Sequence, residues 1–124
     1  MNQTRKKIIV VDDSLECLAG IKNTLKDIYD VYPAPSASKM FDLLEHFMPD
    51  MIILDIEMPD VNGYEAAQML KGNALYRQIP VVFLTASHGM DSVRAGLAPD
   101  ARDYIYKPFT APLLLQKIRT LMNN

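Results

Sequence analysis

Asp12-Asp13, Asp55, Thr85 and Lys107 each stand directly after a short apolar run: Ile8-Ile-Val-Val11, Met51-Ile-Ile-Leu54, Pro80-Val-Val-Phe-Leu84 and Asp103-Tyr-Ile-Tyr106. Three carboxylates brought together repel and raise one another's pKa values unless a cation sits among them. Hard oxygen ligands suit Mg²⁺, which takes one or two carboxylates, keeps waters and completes its shell with phosphate oxygens. A lysine adds fixed positive charge and a threonine adds a hydroxyl donor. Phosphoryl transfer asks for little else from a protein, and a carboxylate can itself be the nucleophile and carry an aspartyl phosphate. Residue type and spacing leave open which of the three aspartates would be modified.

Such a set acts together only if the runs before it lie side by side. Ile8–Val11 is β-branched and bounded by charge, which predicts a buried strand. Met51–Leu54 is uninterrupted in its hydrophobicity, as strands inside parallel sheets are. Tyr29–Ala34 predicts a less apolar strand at an edge, closed by Pro33 and Pro35. Between the strands, apolar stripes at helical spacing predict helices. The first is capped by Ser14 and carries Leu18, Ile21, Leu25 and Ile28. The second is capped by Ser36 or Ser38, carries Met40, Phe41, Leu44 and Phe47, and is ended by Pro49. A third runs from Tyr64 to Leu70 and stops at Gly72-Asn73. A fourth covers about Met90 to Ala98, broken by Pro99. The last is capped by Thr110, with Leu113, Leu114, Ile118 and Leu121 inward.

Strand and helix thus alternate five times. That pattern predicts an α/β doubly wound fold, a five-stranded parallel sheet with helices on both faces and right-handed crossovers. It spans residues 1–124 as a single domain with its core at about 6–122. In open α/β sheets, sites form outside the carboxyl ends of the strands. Asp12-Asp13, Asp55, Thr85 and Lys107 would then share one rim.

Each residue also has a plainer reading. An Asp-Asp pair after a strand can be a turn and helix cap, Asp55 can cap a turn, and Lys107-Pro108 can be a solvated loop. Their arrival at four strand ends of one fold is what favours a joint site. Other chemistries lack their residues. There is no phosphate loop of the G-x-x-x-x-G-K-[ST] kind and no G-x-G-x-x-G. His46 and His88 stand near no suitable serine or cysteine for a triad. Cys17 is the only cysteine, so no internal disulfide or cysteine zinc cluster can form, and it reads as a small core hydrophobe. A formal net charge of −2 offers no general attraction to nucleic acid or anionic lipid. No apolar run is long enough for a signal-peptide core or a membrane span. A cytoplasmic setting is expected, with no direct nucleic-acid or membrane partner.

Four segments, in order along nearly the whole chain, carry a family resemblance. Ile8-Ile-Val-Val-Asp12-Asp13-Ser14, Ile53-Leu-Asp55-Ile-Glu-Met-Pro59 with Gly63, Pro80-Val-Val-Phe-Leu-Thr85-Ala86, and Asp103-Tyr-Ile-Tyr-Lys107-Pro-Phe109 resemble the receiver domain of two-component response regulators. The resemblance implies a flavodoxin-like (βα)5 fold with strand order 2-1-3-4-5. It implies Asp55 as phosphoacceptor and a Mg²⁺ held by Asp13, by Asp12 mostly through water, by Asp55 and by the Glu57 backbone carbonyl. Lys107 would pair with phosphoryl oxygens, Thr85 would move to hydrogen-bond them, and Ala86 would leave room beside them. Tyr104 matches the family's switch aromatic and would turn inward with Thr85. The Lys107-Pro108 bond would be cis, an isomer open cheaply only to X-Pro bonds.

By the same resemblance the phosphoryl group comes from a sensor histidine kinase or a phosphotransfer protein. The output face is the fourth helix, fifth strand and fifth helix, read by an effector domain or target protein. A phosphorylation-dependent homodimer is a further partnership; Arg94, Asp103 and Arg119 on the output face would serve its ion pairs, with solvated surface charges as their plainer and favoured reading. The chain would be a signalling switch, not an enzyme, catalysing only its own phosphorylation and dephosphorylation. It departs from the family in carrying Asp100-Ala101 where Gly-Ala is usual, and in Pro99 beside it. Glu57 and Ser87 stand at two flanking positions that vary in the family and tune phosphate lifetime. Two rivals remain: a haloacid-dehalogenase-like phosphatase, which wants a second aspartate where Glu57 stands, and a pseudo-receiver that is never phosphorylated.

Overall fold

Ile8 and Val10 bury on one side of a sheet, Ile9 and Val11 on the other, so β1 (Lys7–Val11) has no solvent face. Side chains alternate along a strand, and helices cover both faces. The computed structural model describes residues 5–86 and 101–123. In it β3 (Met51–Asp55) and β4 (Val81–Thr85) are buried at every position. β2 (Asp30–Ala34) and β5 (Asp103–Tyr106) complete a parallel sheet in the order β2-β1-β3-β4-β5. The expected strand order is therefore the observed one. Pro33 lies in β2, opposite Val10, where the sheet edge asks for no second ladder hydrogen bond.

Ser14 caps α1 (Leu15–Leu25) by accepting from the Cys17 amide, and Leu18, Ile21 and Leu25 turn inward. Ser36, not Ser38, caps α2 (Ala37–Leu44). Asn62 and Glu65 form a reciprocal capping box at the start of α3 (Gly63–Lys71). Thr110 caps the C-terminal helix (Ala111–Met122). α1 and the C-terminal helix pack on Ile8, Val10, Ile53, Val82, Leu84 and Ile105. α2 and α3 pack on Ile9, Val11, Ile52, Leu54 and Phe83 across the sheet.

Three details differ from the periodicity. Ile28 does not extend the α1 stripe: the helix stops at Leu25, Ile28 is exposed, and Tyr29 is buried in its place. α2 ends at Leu44, well before Pro49, and Phe47 packs from the following turn onto Tyr32 with ring centroids 4.4 Å apart. In the C-terminal helix the inward stripe is Leu114, Ile118 and Met122, Leu121 is half-buried, and Leu113 is exposed. At about 100° per residue, Leu113 lies a quarter turn off a stripe of four-residue spacing. The helix expected at Met90–Ala98 lies outside the described residues, with Ser87, Arg94, Pro99 and Asp100.

This placement separates two adjacent leucines. Leu114→Ala should cost about 2–5 kcal/mol, as buried leucine truncations do. Leu113→Ala should stay within about 1 kcal/mol, as exposed substitutions do. Urea unfolding of the two variants checks it, and equal losses would refute the stripe.

Candidate functional site

Register decides which strand ends meet. Val11 pairs with Leu54 and Asp55 with Leu84, so Asp12 and Asp55 leave adjacent strands at the same level. Thr85 pairs with Tyr106, and the Lys107 amide donates to the Thr85 carbonyl at 2.8 Å, bringing Lys107 to that rim from β5. Asp12 and Asp55 are almost wholly buried, whereas Asp13 is exposed. Carboxylate oxygens of all three lie within 4.8 Å of one another.

One amine serves two of these carboxylates. Lys107 Nζ is 2.9 Å from Asp12 Oδ2 and 3.6 Å from Asp55 Oδ1. Asp12 also accepts from the Ser14 amide at 2.9 Å. Burial pushes the Asp12 carboxyl up, but hydrogen bonds from Cys17, Lys107 and Ser14 outweigh it and hold Asp12 below the usual range. Asp55 has less support: burial, and then the Asp12 charge, push it up to about 7 against the pull of Lys107. Lys107 is itself raised: burial would lower it, but Asp12 and Asp55 more than compensate.

Cys17 faces this cluster from the first turn of α1. Its thiol bonds to Asp12 and is pushed up to about 12, first by burial and then by Asp12. The residue is thus both a core contact and a neighbour of the acidic pair. Its position five residues after Asp12, in the first turn of a helix, was the available signal.

The loop after β3 is tightly specified. The Ile56 carbonyl accepts from the amides of Met58 at 3.2 Å and Gly63 at 2.9 Å. A Cβ at Gly63 would collide with the Asp55 carbonyl oxygen and come within 2.8 Å of Ile56 Cα. Asp60 holds φ at 67°, a left-handed conformation that aspartate tolerates better than most residues. The Asn62-x-x-Glu65 pattern was a legible capping signal here.

Thr85 is fully buried and its hydroxyl donates to Glu57 Oε1 at 3.3 Å. Ala86 follows it, exposed at the mouth of the rim. Tyr104 is half-buried, its ring stacked on Phe83 at a centroid distance of 5.6 Å. Its hydroxyl is buried with no hydrogen-bond partner among the described residues. The Lys107-Pro108 peptide is cis. Asp103 forms an ion pair at 2.9 Å with Lys117 of the same chain.

Oxygen donors alone, two of them buried and short of positive charge, fit a hard divalent cation. The sequence model of the response regulator receiver domain family matches residues 8–119. The chain belongs to that family. Response regulator Rre1 of Synechocystis is 35% identical over 118 residues, covering 93% of this chain and 51% of that protein. A probable cyclic di-GMP phosphodiesterase of Vibrio cholerae is 33% identical over 117 residues, 94% of this chain and 26% of that protein. The chemotaxis response regulator CheY4 of Vibrio cholerae superposes with a TM-score of 0.86 at 27% identity, over 95% of this chain and 99% of that one. The receiver domain therefore spans about half or less of these curated relatives. Neither the phosphatase nor the pseudo-receiver alternative finds support in these likenesses. Among the described residues, no helix is long and apolar enough to cross a membrane.

The receiver domain's acidic pair sets a pH dependence. Asp55 has a folded pKa of about 7 against an ordinary 3.8. The folded state therefore binds the extra proton between those values, and the penalty is complete above about pH 7 and relieved toward pH 4. Asp12, shifted the other way, stays ionised through that window. In EDTA, Asp55→Asn should exceed the parent by about 2–4 kcal/mol near pH 8, the gap narrowing toward about pH 5.5. Urea unfolding at both pH values measures it. A gap of the same size at both would show that Asp55 does not carry the proton.

Proposed function

We propose that this receiver domain is a phosphorylation switch whose phosphoacceptor is Asp55. The observation that carries the reading is the approach to Asp55, at 3.6 Å, of a lysine amine that also pairs with a second buried carboxylate at 2.9 Å. The nucleophile would be an Asp55 carboxylate oxygen. It attacks the phosphorus of a phosphohistidine, the P–N bond breaks, and the imidazole leaves with the electron pair and takes up a proton.

Asp12, Asp13, Asp55 and the Glu57 backbone carbonyl would hold Mg²⁺. That ion supplies positive charge for the phosphoryl oxygens and keeps Asp55 ionised. Lys107 neutralises a further oxygen, Thr85 donates to another, and Ala86 leaves the space open. Tyr104, stacked on Phe83 beside β4, would respond to Thr85 and report on the output face. A phosphoryl group adds about two negative charges at neutral pH, enough to bias a bistable element.

Residues 1–124 would form a single receiver domain with its core at about 6–122, in a cytoplasmic setting. Its partners would be a sensor histidine kinase or phosphotransfer protein, an effector domain or target, and a phosphorylation-dependent second copy. It has no turnover on a separate substrate. The test is incubation with Mg²⁺ and acetyl phosphate, followed by intact mass. One base-labile phosphoryl adduct per chain is expected, abolished by Asp55→Asn and by EDTA. Sustained phosphate release from unrelated monoesters would favour a phosphatase, and an unmodified chain would sink the switch.

A further inference from the structure

The Thr85 hydroxyl lies in a residue with no solvent exposure, and it reaches outward to the carboxylate of exposed Glu57. Glu57 is the second residue after β3, ahead of the tight Met58–Gly63 loop. Its charge is among those that push Asp55 up. A threonine hydroxyl has one proton to donate. On the functional reading above, the hydroxyl must instead donate its hydrogen bond to a phosphoryl oxygen on Asp55, and the bond to Glu57 must then break.

We infer that Glu57 is a positioning residue that holds Thr85 in its resting orientation, its carboxylate competing with the phosphoryl group for the single Thr85 hydroxyl proton. This rests on the proposed function of Asp55. At 3.3 Å the contact is a long hydrogen bond, worth no more than an ordinary neutral one. The resting state is therefore favoured by whatever the Thr85–Glu57 bond contributes beyond solvation of the free groups. The position thus acts on the switch equilibrium through Thr85, in addition to any direct repulsion of the incoming anion.

A double-mutant cycle separates the two effects, because direct repulsion does not need the Thr85 hydroxyl. Beryllofluoride binding in saturating Mg²⁺ is titrated by fluorine NMR for the parent, Glu57→Ala, Thr85→Val and the double variant. With Thr85 present, Glu57→Ala should tighten binding by about three- to tenfold, the range of one ordinary hydrogen bond. In the Thr85→Val background most of that gain should vanish. Thr85→Ser, which keeps the hydroxyl, should restore it, and Glu57→Gln should fall between parent and Glu57→Ala. An equal gain with and without the hydroxyl, or no gain, overturns the latch while leaving the switch intact. If the parent itself binds no beryllofluoride, the functional reading fails and the latch with it.

Discussion

Lys107 holds two buried carboxylates with one amine, and most of the rim follows from that imbalance. Asp12 sits 2.9 Å from the nitrogen and has further donors, so it is firmly ionised. Asp55 at 3.6 Å is left with the deficit and is pushed up to about 7. Desolvation of a carboxylate is costly unless charge and hydrogen bonds replace the lost water. The site is therefore short of positive charge by construction. A divalent cation brought to that point would supply the positive charge that Lys107 alone does not.

The scaffold holds this imbalance without easy escape. β1 and β3 are buried on both faces, so neither strand can slide to let its carboxylate reach solvent without exposing a core face. The Gly63 contact and the capping box fix the path of the chain just after Asp55. Glu57 lies inside that path, which is why its carboxylate can meet a hydroxyl from β4.

Much of this was legible in the chain. Apolar runs ending in Asp12, Asp55 and Thr85 marked strands because both-face burial leaves no polar alternation. Capping residues Ser14, Ser36 and Thr110 marked helix starts because an orphan amide needs a side-chain oxygen. Leu113 was misplaced because an apolar residue beside a stripe looks the same in sequence as one on it. Cys17 was read as core filling alone because a thiol's hydrogen-bond partner depends on how α1 lies against β1. The Thr85–Glu57 contact joins residues 28 positions apart, one in the loop after β3 and one at the end of β4, and no local signal announces it.

By itself, the sequence determined the alternation of strand and helix, the residues at the strand ends and, through the motifs they form, the family. These depend on periodicity and residue type, which are local properties of the chain. Only the tertiary structure decided that one lysine lies between Asp12 and Asp55, that Asp13 stays in solvent while Asp12 does not, and that Thr85 leans toward Glu57. Those outcomes depend on register and on the depth at which each strand ends. A difference of one residue in pairing changes which carboxylate is dry and which amine can reach it.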